Sequence, residues 1–203
     1  PVTRSSIAEA ALRILDRASD ESSLTMRALG AELDVRAPSL YAHVTGIDDV
    51  IDLVHARINA SIDLAPLAAD DPIDGLRRFA HSYRRAYAAH RVAATVIISR
   101  SLNAHHALAV YEAAASCLLR AGVPSVQVMP LLAFLDAIAL GSAIEPFAAG
   151  FTGSIGDYRR EFPAIAESLS HSRRRRIDDD GFEVGLRSFL AAVALHGASA
   201  DRP

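Results

Sequence analysis

Apolar positions recur with helical spacing from one end of the chain to the other, so the sequence reads as all-α. Ile7, Ala11, Ile14, Leu15 and Ala18 form one stripe, and Ser6 with Glu9 fits an S-x-x-E capping box. Together they predict a first helix from about Ser6 to Ala18. After Thr25, a residue type that caps helices, Met26, Leu29 and Leu33 fall on one face of a second helix. Leu33-Asp34-Val35 breaks that pattern, and Asp tolerates the positive φ of a tight turn. Pro38 suits the first turn of a new helix, with Leu40 and Val44 facing inward and Ser39, Tyr41 and His43 facing outward. Thr45-Gly46-Ile47-Asp48-Asp49 opens a fourth helix with acids at its positive end, and Val50, Ile51, Val54 and Ile58 carry its apolar face.

The stretch from Asp63 to Pro72 loses this period and holds two prolines, which places a domain junction there. Residues 1–60 then form a small helical domain and residues 61–203 a larger one. Leu76, Phe79, Ala80, Tyr83 and Tyr87 mark a fifth helix ending near Ala89, followed by a sixth from Val92 to Leu102. A seventh, Ala104 to Ala121, stops at Gly122 and Pro124. The eighth, Ser125 to about Ala149, is apolar nearly all round. A glycine-bearing loop, a short segment from Pro163 to Leu169 and the run Arg173–Arg176 precede the last helix. That helix, Phe182 to His196, has Phe182, Gly185, Leu186, Phe189, Leu190 and Val193 on one face. A helix that is apolar on every side has to be covered on every side. Leu131–Phe147 and Phe182–Val193 are therefore expected to pair with their copies in a second chain, a four-helix bundle that makes a homodimer.

Two short helices joined by a tight turn, with hydrogen-bonding groups outside the second, make the arrangement of a major-groove reader. The segment LTMRALGAELDVRAPSLYAHV, Leu24 to Val44, resembles the helix-turn-helix of the tetracycline-repressor family of transcription regulators. Gly30-Ala31 reverses the family's usual order, and Asp34 stands where it often has glycine. Asp180 to Leu186 and Phe162-Pro163-Ala164 also resemble pieces of that family's C-terminal domain. The resemblance implies a homodimer on a near-palindromic double-stranded DNA operator, released by a small-molecule effector. It assigns DNA contact to Thr25, Met26, Arg27, Arg36, Ala37, Pro38, Ser39, Tyr41 and His43. Plain solvated surface is the alternative for Tyr41, His43 and the two arginines. A lysine the family carries at the start of the fourth helix is Ile47 here.

Effector contact is carried over to Phe79, Tyr83, Tyr87, Ile97, Ser101, Tyr111, Ala114, Leu132 and Phe134. Spacing alone reads the aromatic members as core. In the family's namesake a histidine on the sixth helix ligates the drug's magnesium, but that position is Ile97 here. The resemblance therefore implies an apolar, aromatic pocket without metal, with hydroxyl handles from Ser101, Tyr83 and Tyr111, suited to a hydrophobic effector.

Composition adjusts this reading. The chain has 203 residues, 51% hydrophobic and 22% charged, so it is globular rather than disordered. Its net charge is −3, and residues 1–60 hold six arginines against nine acids, which opposes phosphate binding. The acids cluster at Asp16, Asp20 and Glu21 and at Asp48, Asp49 and Asp52, away from the reading face. All 21 basic residues are arginine, which excludes a P-loop lysine and Schiff-base chemistry. A single cysteine, Cys117, points to a reducing, cytoplasmic setting. No apolar run of ~20 residues and no signal peptide is evident, so no membrane partner is expected. Pro1 is not an initiator, so a preceding segment is expected.

Neither a cofactor nor a metal is expected. His105 and His106 are adjacent and so point ~100° apart on a helix, whereas chelation wants i, i+4. Thr152 to Gly156 nearly spells G-x-S-x-G, without its first glycine or a preceding strand. The chain reads as a regulator and not an enzyme; a helical enzyme or non-regulatory ligand binder is the alternative.

Overall fold

The computed structural model describes residues 1–100, 104–144 and 147–200, and their regular structure is entirely helical. The helices are α1 (Arg4–Arg17), α2 (Met26–Glu32), α3 (Ala37–Leu40), α4 (Ile47–Asn59), α5 (Pro72–Ala88), α6 (Arg91–Ile98), α7 (His105–Arg120), α8 (Ser125–Ile144), α9 (Ile155–Arg159), α10 (Pro163–His171) and α11 (Ile177–Ala200). One apolar core runs from Ile7 through Val54, Leu76 and Leu118 to Val193. Helix α1 packs on α4, α5 packs on α8, and α8 packs on α11.

Several boundaries differ from the periodicity. Helix α1 begins two residues earlier because Thr3, not Ser6, is its cap: Thr3 Oγ1 accepts from Ser6 N and Ser6 Oγ accepts from Thr3 N. Helix α3 closes after one turn, and His43 N and Val44 N both bond back to the Leu40 carbonyl. Helix α6 ends at Ile98, and the expected continuation to Leu102 lies outside the described residues. Helix α8 is described to Ile144 and Phe147–Gly150 forms a 3-10 turn, so part of the expected continuation to Ala149 lies outside the described residues. Helix α11 starts five residues before Phe182, with Asp178, Asp179 and Asp180 in its first turn, where the helix dipole favours acids.

The expected glycine loop contains α9. Its cap is Ser154, which accepts from Asp157 N while Asp157 Oδ2 accepts from Ser154 N. The serine of the near-motif is thus a helix cap. In the arginine run, Arg174 donates to the Gly153 carbonyl at 2.8 Å and Arg176 pairs with Asp180 at 3.3 Å.

One sequence expectation needs correcting. Helix α8 is 20 residues long with a mean hydropathy of 1.7, the length and apolarity of a membrane span. Asp136, Gly141 and Ser142 had hidden it as an uninterrupted run. Its Val128, Leu131, Leu132, Leu135, Ala139 and Ala143 are buried by the rest of the chain.

Candidate DNA-reading head and effector chamber

Helix α2 starts at Thr25, whose Oγ1 accepts from Ala28 N at 3.1 Å. It ends in a Schellman motif: Val35 N bonds to Gly30 O at 2.8 Å and Asp34 N to Ala31 O at 3.3 Å. Asp34 takes the left-handed position with φ 53°. Gly30 is required by close approach, because a Cβ there would stand 2.8 Å from the Val35 carbonyl and 3.1 Å from Ala37 N. The reversed Gly30-Ala31 order thus fits the point where α2 meets α3.

Leu40 and Val44 are buried and anchor α3, while Ser39 and Tyr41 are exposed, Tyr41 at 58%. His43 is half-buried, and its carbonyl accepts from Arg4 Nη1 at 2.7 Å. Arg27 and Arg36 are exposed. Neither has an ion-pair partner among the described residues.

Five of the nine acids of residues 1–60 have a basic partner within the chain. Arg4 pairs with Asp49 at 2.7 Å, Arg13 and Arg17 both pair with Glu32, and His90 meets Asp16 at 2.9 Å. Arg100 binds Asp48 and reaches Asp52 at 3.5 Å. The Arg13 and Arg17 guanidiniums hold the Glu32 carboxyl below the usual range, and Arg4 does the same for Asp49. Arg4, Arg13 and Arg17 are already counted among the six arginines, so only Arg100 and His90 come from outside residues 1–60, and Asp34, two residues from Arg36, has no ion-pair partner among the described residues.

Helix α4 carries Val50 and Val54 in the core, and its C-terminal half carries His55 and Asn59 into a polar chain. Tyr87 Oη donates to Asn59 Oδ1 at 2.9 Å, so at 3.2 Å it accepts from His55 Nε2. Asn59 Nδ2 donates to His106 Nδ1 at 3.0 Å, and the two imidazoles meet edge-on at 4.5 Å. Burial, then the neighbouring His106, pushes His55 down to about 4, which keeps it neutral.

Beside this chain, Tyr83 and Tyr111 both donate to Asp136 Oδ1, at 2.6 and 2.9 Å. Burial raises both phenols, Tyr111 to about 12, so they remain donors. Phe79 stacks on Tyr83 at 5.6 Å and Tyr83 meets Tyr87 edge-on at 5.2 Å. A cavity of about 180 Å³ is bounded by His55, Asn59, Tyr83, Tyr87, Ile97, Arg100, Tyr111 and Asp136, among others. A larger hollow of about 860 Å³ shares Tyr111 and Asp136 and is lined by Leu108, Glu112, Ala115, Met129 and Leu132 of α7 and α8.

Residues 65–195 match the family of tetracyclin repressor-like C-terminal domains. The chain belongs to the tetracycline-repressor family of transcriptional regulators. It is 30% identical over 183 residues to an HTH-type transcriptional regulator of Saccharopolyspora erythraea, covering 87% of this chain and 72% of that protein. Among solved structures it superimposes on ActR of Streptomyces coelicolor in complex with actinorhodin, with a TM-score of 0.77, 25% identity and 95% of each chain covered. TetR of Acinetobacter baumannii shares the fold, with a TM-score of 0.73, 22% identity and 97% and 99% of the two chains covered.

The family's helix-turn-helix brings Thr25, Met26, Arg27, Arg36, Ala37, Pro38, Ser39, Tyr41 and His43 into one small region around α2 and α3. Thr25 and Pro38 also have a structural duty there, as cap and as first-turn proline. Of the residues carried over to the family's effector pocket, Tyr83, Tyr87, Ile97 and Tyr111 line the cavity. Phe79 and Ala114 are buried beside it, and Leu132 lines the larger hollow. Phe134 does not join them. It sits two residues from both Leu132 and Asp136, some 200° around the helix, where it is 39% exposed and tilted against Phe189 at 6.4 Å. Ser101 lies outside the described residues.

Sequence reasoning missed His55, Asn59, Arg100 and Asp136, and weighed His106 only as a metal ligand. Asp136 carried a usable signal, as the lone charged residue of an otherwise apolar helix. The others are joined to their partners only by the tertiary fold.

Proposed function

We propose that the chain is a cytoplasmic repressor, not an enzyme. In this reading it binds a near-palindromic operator as a homodimer and leaves it when a small hydrophobic effector enters the helical domain without a metal. One observation carries the reading. Helix α4 runs from the core behind the reading helix, where Val50 and Val54 are buried, to the chamber wall, where His55 and Asn59 stand. A ligand that changes the wall changes the seat of the reading head, which is the coupling that effector-controlled release needs. The related ActR has been crystallised in complex with actinorhodin, which supports a small-molecule effector.

Ser39, Tyr41 and His43 are assigned to base and phosphate contact, and Arg27 and Arg36 to phosphates. The dimer is assigned to the outer faces of α8 and α11. Val126 and Phe134 of α8 are exposed on the face turned from the chain's own core, and Val184 and Leu195 of α11 likewise. Leu190 is only 7% exposed, so it belongs to the internal core and is no probe of the interface. The test is titration of a symmetric operator with and without candidate effectors. Loss of operator affinity on effector addition, unchanged by EDTA, supports the reading, and release that requires magnesium contradicts it.

A further inference from the structure

Asp136 is the only charged side chain of α8, and it stands half-buried where the cavity and the larger hollow meet. Its Oδ1 takes the hydroxyls of both Tyr83 and Tyr111, while Oδ2 receives no hydrogen bond from the described residues. No cationic side chain among them pairs with it. Arg100, on the same cavity wall, is committed to Asp48 and Asp52. The larger hollow adds a second carboxylate, Glu112, and His105 is the only basic side chain on its lining. The rest of that lining is Leu108, Ala109, Ala115, Met129, Leu132, Ala133 and Tyr111.

We propose that the effector is an amphipathic cation, a protonated amine on an aromatic or aliphatic body, whose charged end pairs with Asp136 Oδ2. This rests on the reading of the chamber as the effector site and names the ligand's chemistry. A neutral apolar molecule in the hollow would strip water from a carboxylate that has one oxygen unpaired, and that desolvation opposes binding. An anion would add like-charge repulsion from Asp136 and Glu112. A cation restores the lost solvation with a charge-assisted hydrogen bond, and tyrosine rings nearby favour it further. Two neutral donors already serve Oδ1, so charge is the property the site lacks.

The test compares three probes of one shape at pH 7 by calorimetric titration of the full chain: 1-naphthylmethylamine, 1-naphthylmethanol and 1-naphthoate. The amine is expected to bind at least tenfold more tightly than the alcohol, with naphthoate weakest. In Asp136→Asn, which retains an acceptor for both tyrosines, the amine's advantage should fall below threefold. Equal binding of amine and alcohol by the parent, tighter binding of naphthoate, no binding of any probe, or an advantage that survives Asp136→Asn would each overturn the proposal. The parent comparison needs no variant, so a poorly folded mutant leaves it decisive. Operator binding by the unliganded parent is measured alongside. Its absence would count against the regulator reading, and a lost amine preference with intact operator binding would count against the cation alone.

Discussion

The guanidinium of Arg100, at the end of α6, is hydrogen-bonded to the Asp48 carboxylate in the first turn of α4. Arg100 also lines the cavity, so one side chain touches both the proposed effector site and the helix behind the proposed reading head. Asp48 is largely exposed, so the pair contributes little to stability. Its expected effect is on coupling. Arg100→Ala should leave the melting temperature within about 2 °C of the parent. It should cut the effector-induced loss of operator affinity at least fivefold, measured as the ratio of operator Kd with and without effector. An unchanged ratio would assign the coupling elsewhere.

The polar chain under α4 makes stability depend on pH. His55 has a folded pKa near 4, below its ordinary 6.5, so the unfolded chain binds a proton the folded one refuses between those values. Its contribution is fully present above about pH 7 and is lost as the pH falls from 6.5 toward 4. At pH 5 the loss attributable to His55 is about 2 kcal/mol. Burial shifts His106 in the same direction. Urea unfolding of the parent and His55→Gln at pH 7.5 and pH 5 should show the parent losing more stability on acidification. Parallel losses in the two would show that His55 does not titrate this way.

Gly30 has no room for a side chain, since the Val35 carbonyl and the Ala37 amide are backbone and cannot swing aside. In an open helix, alanine would add about 0.5–1 kcal/mol over glycine. Here Gly30→Ala should instead cost about 1–2 kcal/mol, a fall in Tm of roughly 2–8 °C. A rise in Tm, read by circular dichroism, would show that α2 and α3 pack less closely than the distances require.

The interface assignment is tested on Val184, which is exposed in the single chain and therefore tolerates a polar replacement there. Light scattering of the parent at micromolar concentration should give twice the chain mass of 21.6 kDa. Val184→Asp should shift the population toward the single-chain mass while circular dichroism stays unchanged. A parent that runs at 21.6 kDa would refute the dimer.

Much of the head was legible because its signals are local. Leu40 and Val44 lie one helical turn apart, and Asp34 supplies the one side chain that the turn's positive φ accepts readily. The short α9 was illegible to periodicity, since five residues make no stripe and the reciprocal caps of Ser154 and Asp157 define it. The chamber was half legible. Tyr83 and Tyr87 share the inward face of α5, which spacing reveals, but the same spacing fits core. Phe134 failed because an aromatic residue on an all-round apolar helix carries no mark of which side faces the pocket. Partners such as Arg100 with Asp48, or Asn59 with His106, lie 52 and 47 residues apart, and no local rule joins them.

The central claim is that Tyr41 and its neighbours on α3 read a symmetric operator. Operator sequences are selected from random duplex DNA with the purified chain. The preferred duplex is then titrated by fluorescence anisotropy at one fixed salt concentration with parent and Tyr41→Ala. The account predicts a near-palindromic site bound by two chains, and at least tenfold weaker binding by Tyr41→Ala with an unchanged melting temperature. Enrichment of no symmetric sequence, or equal affinity of variant and parent, would contradict it.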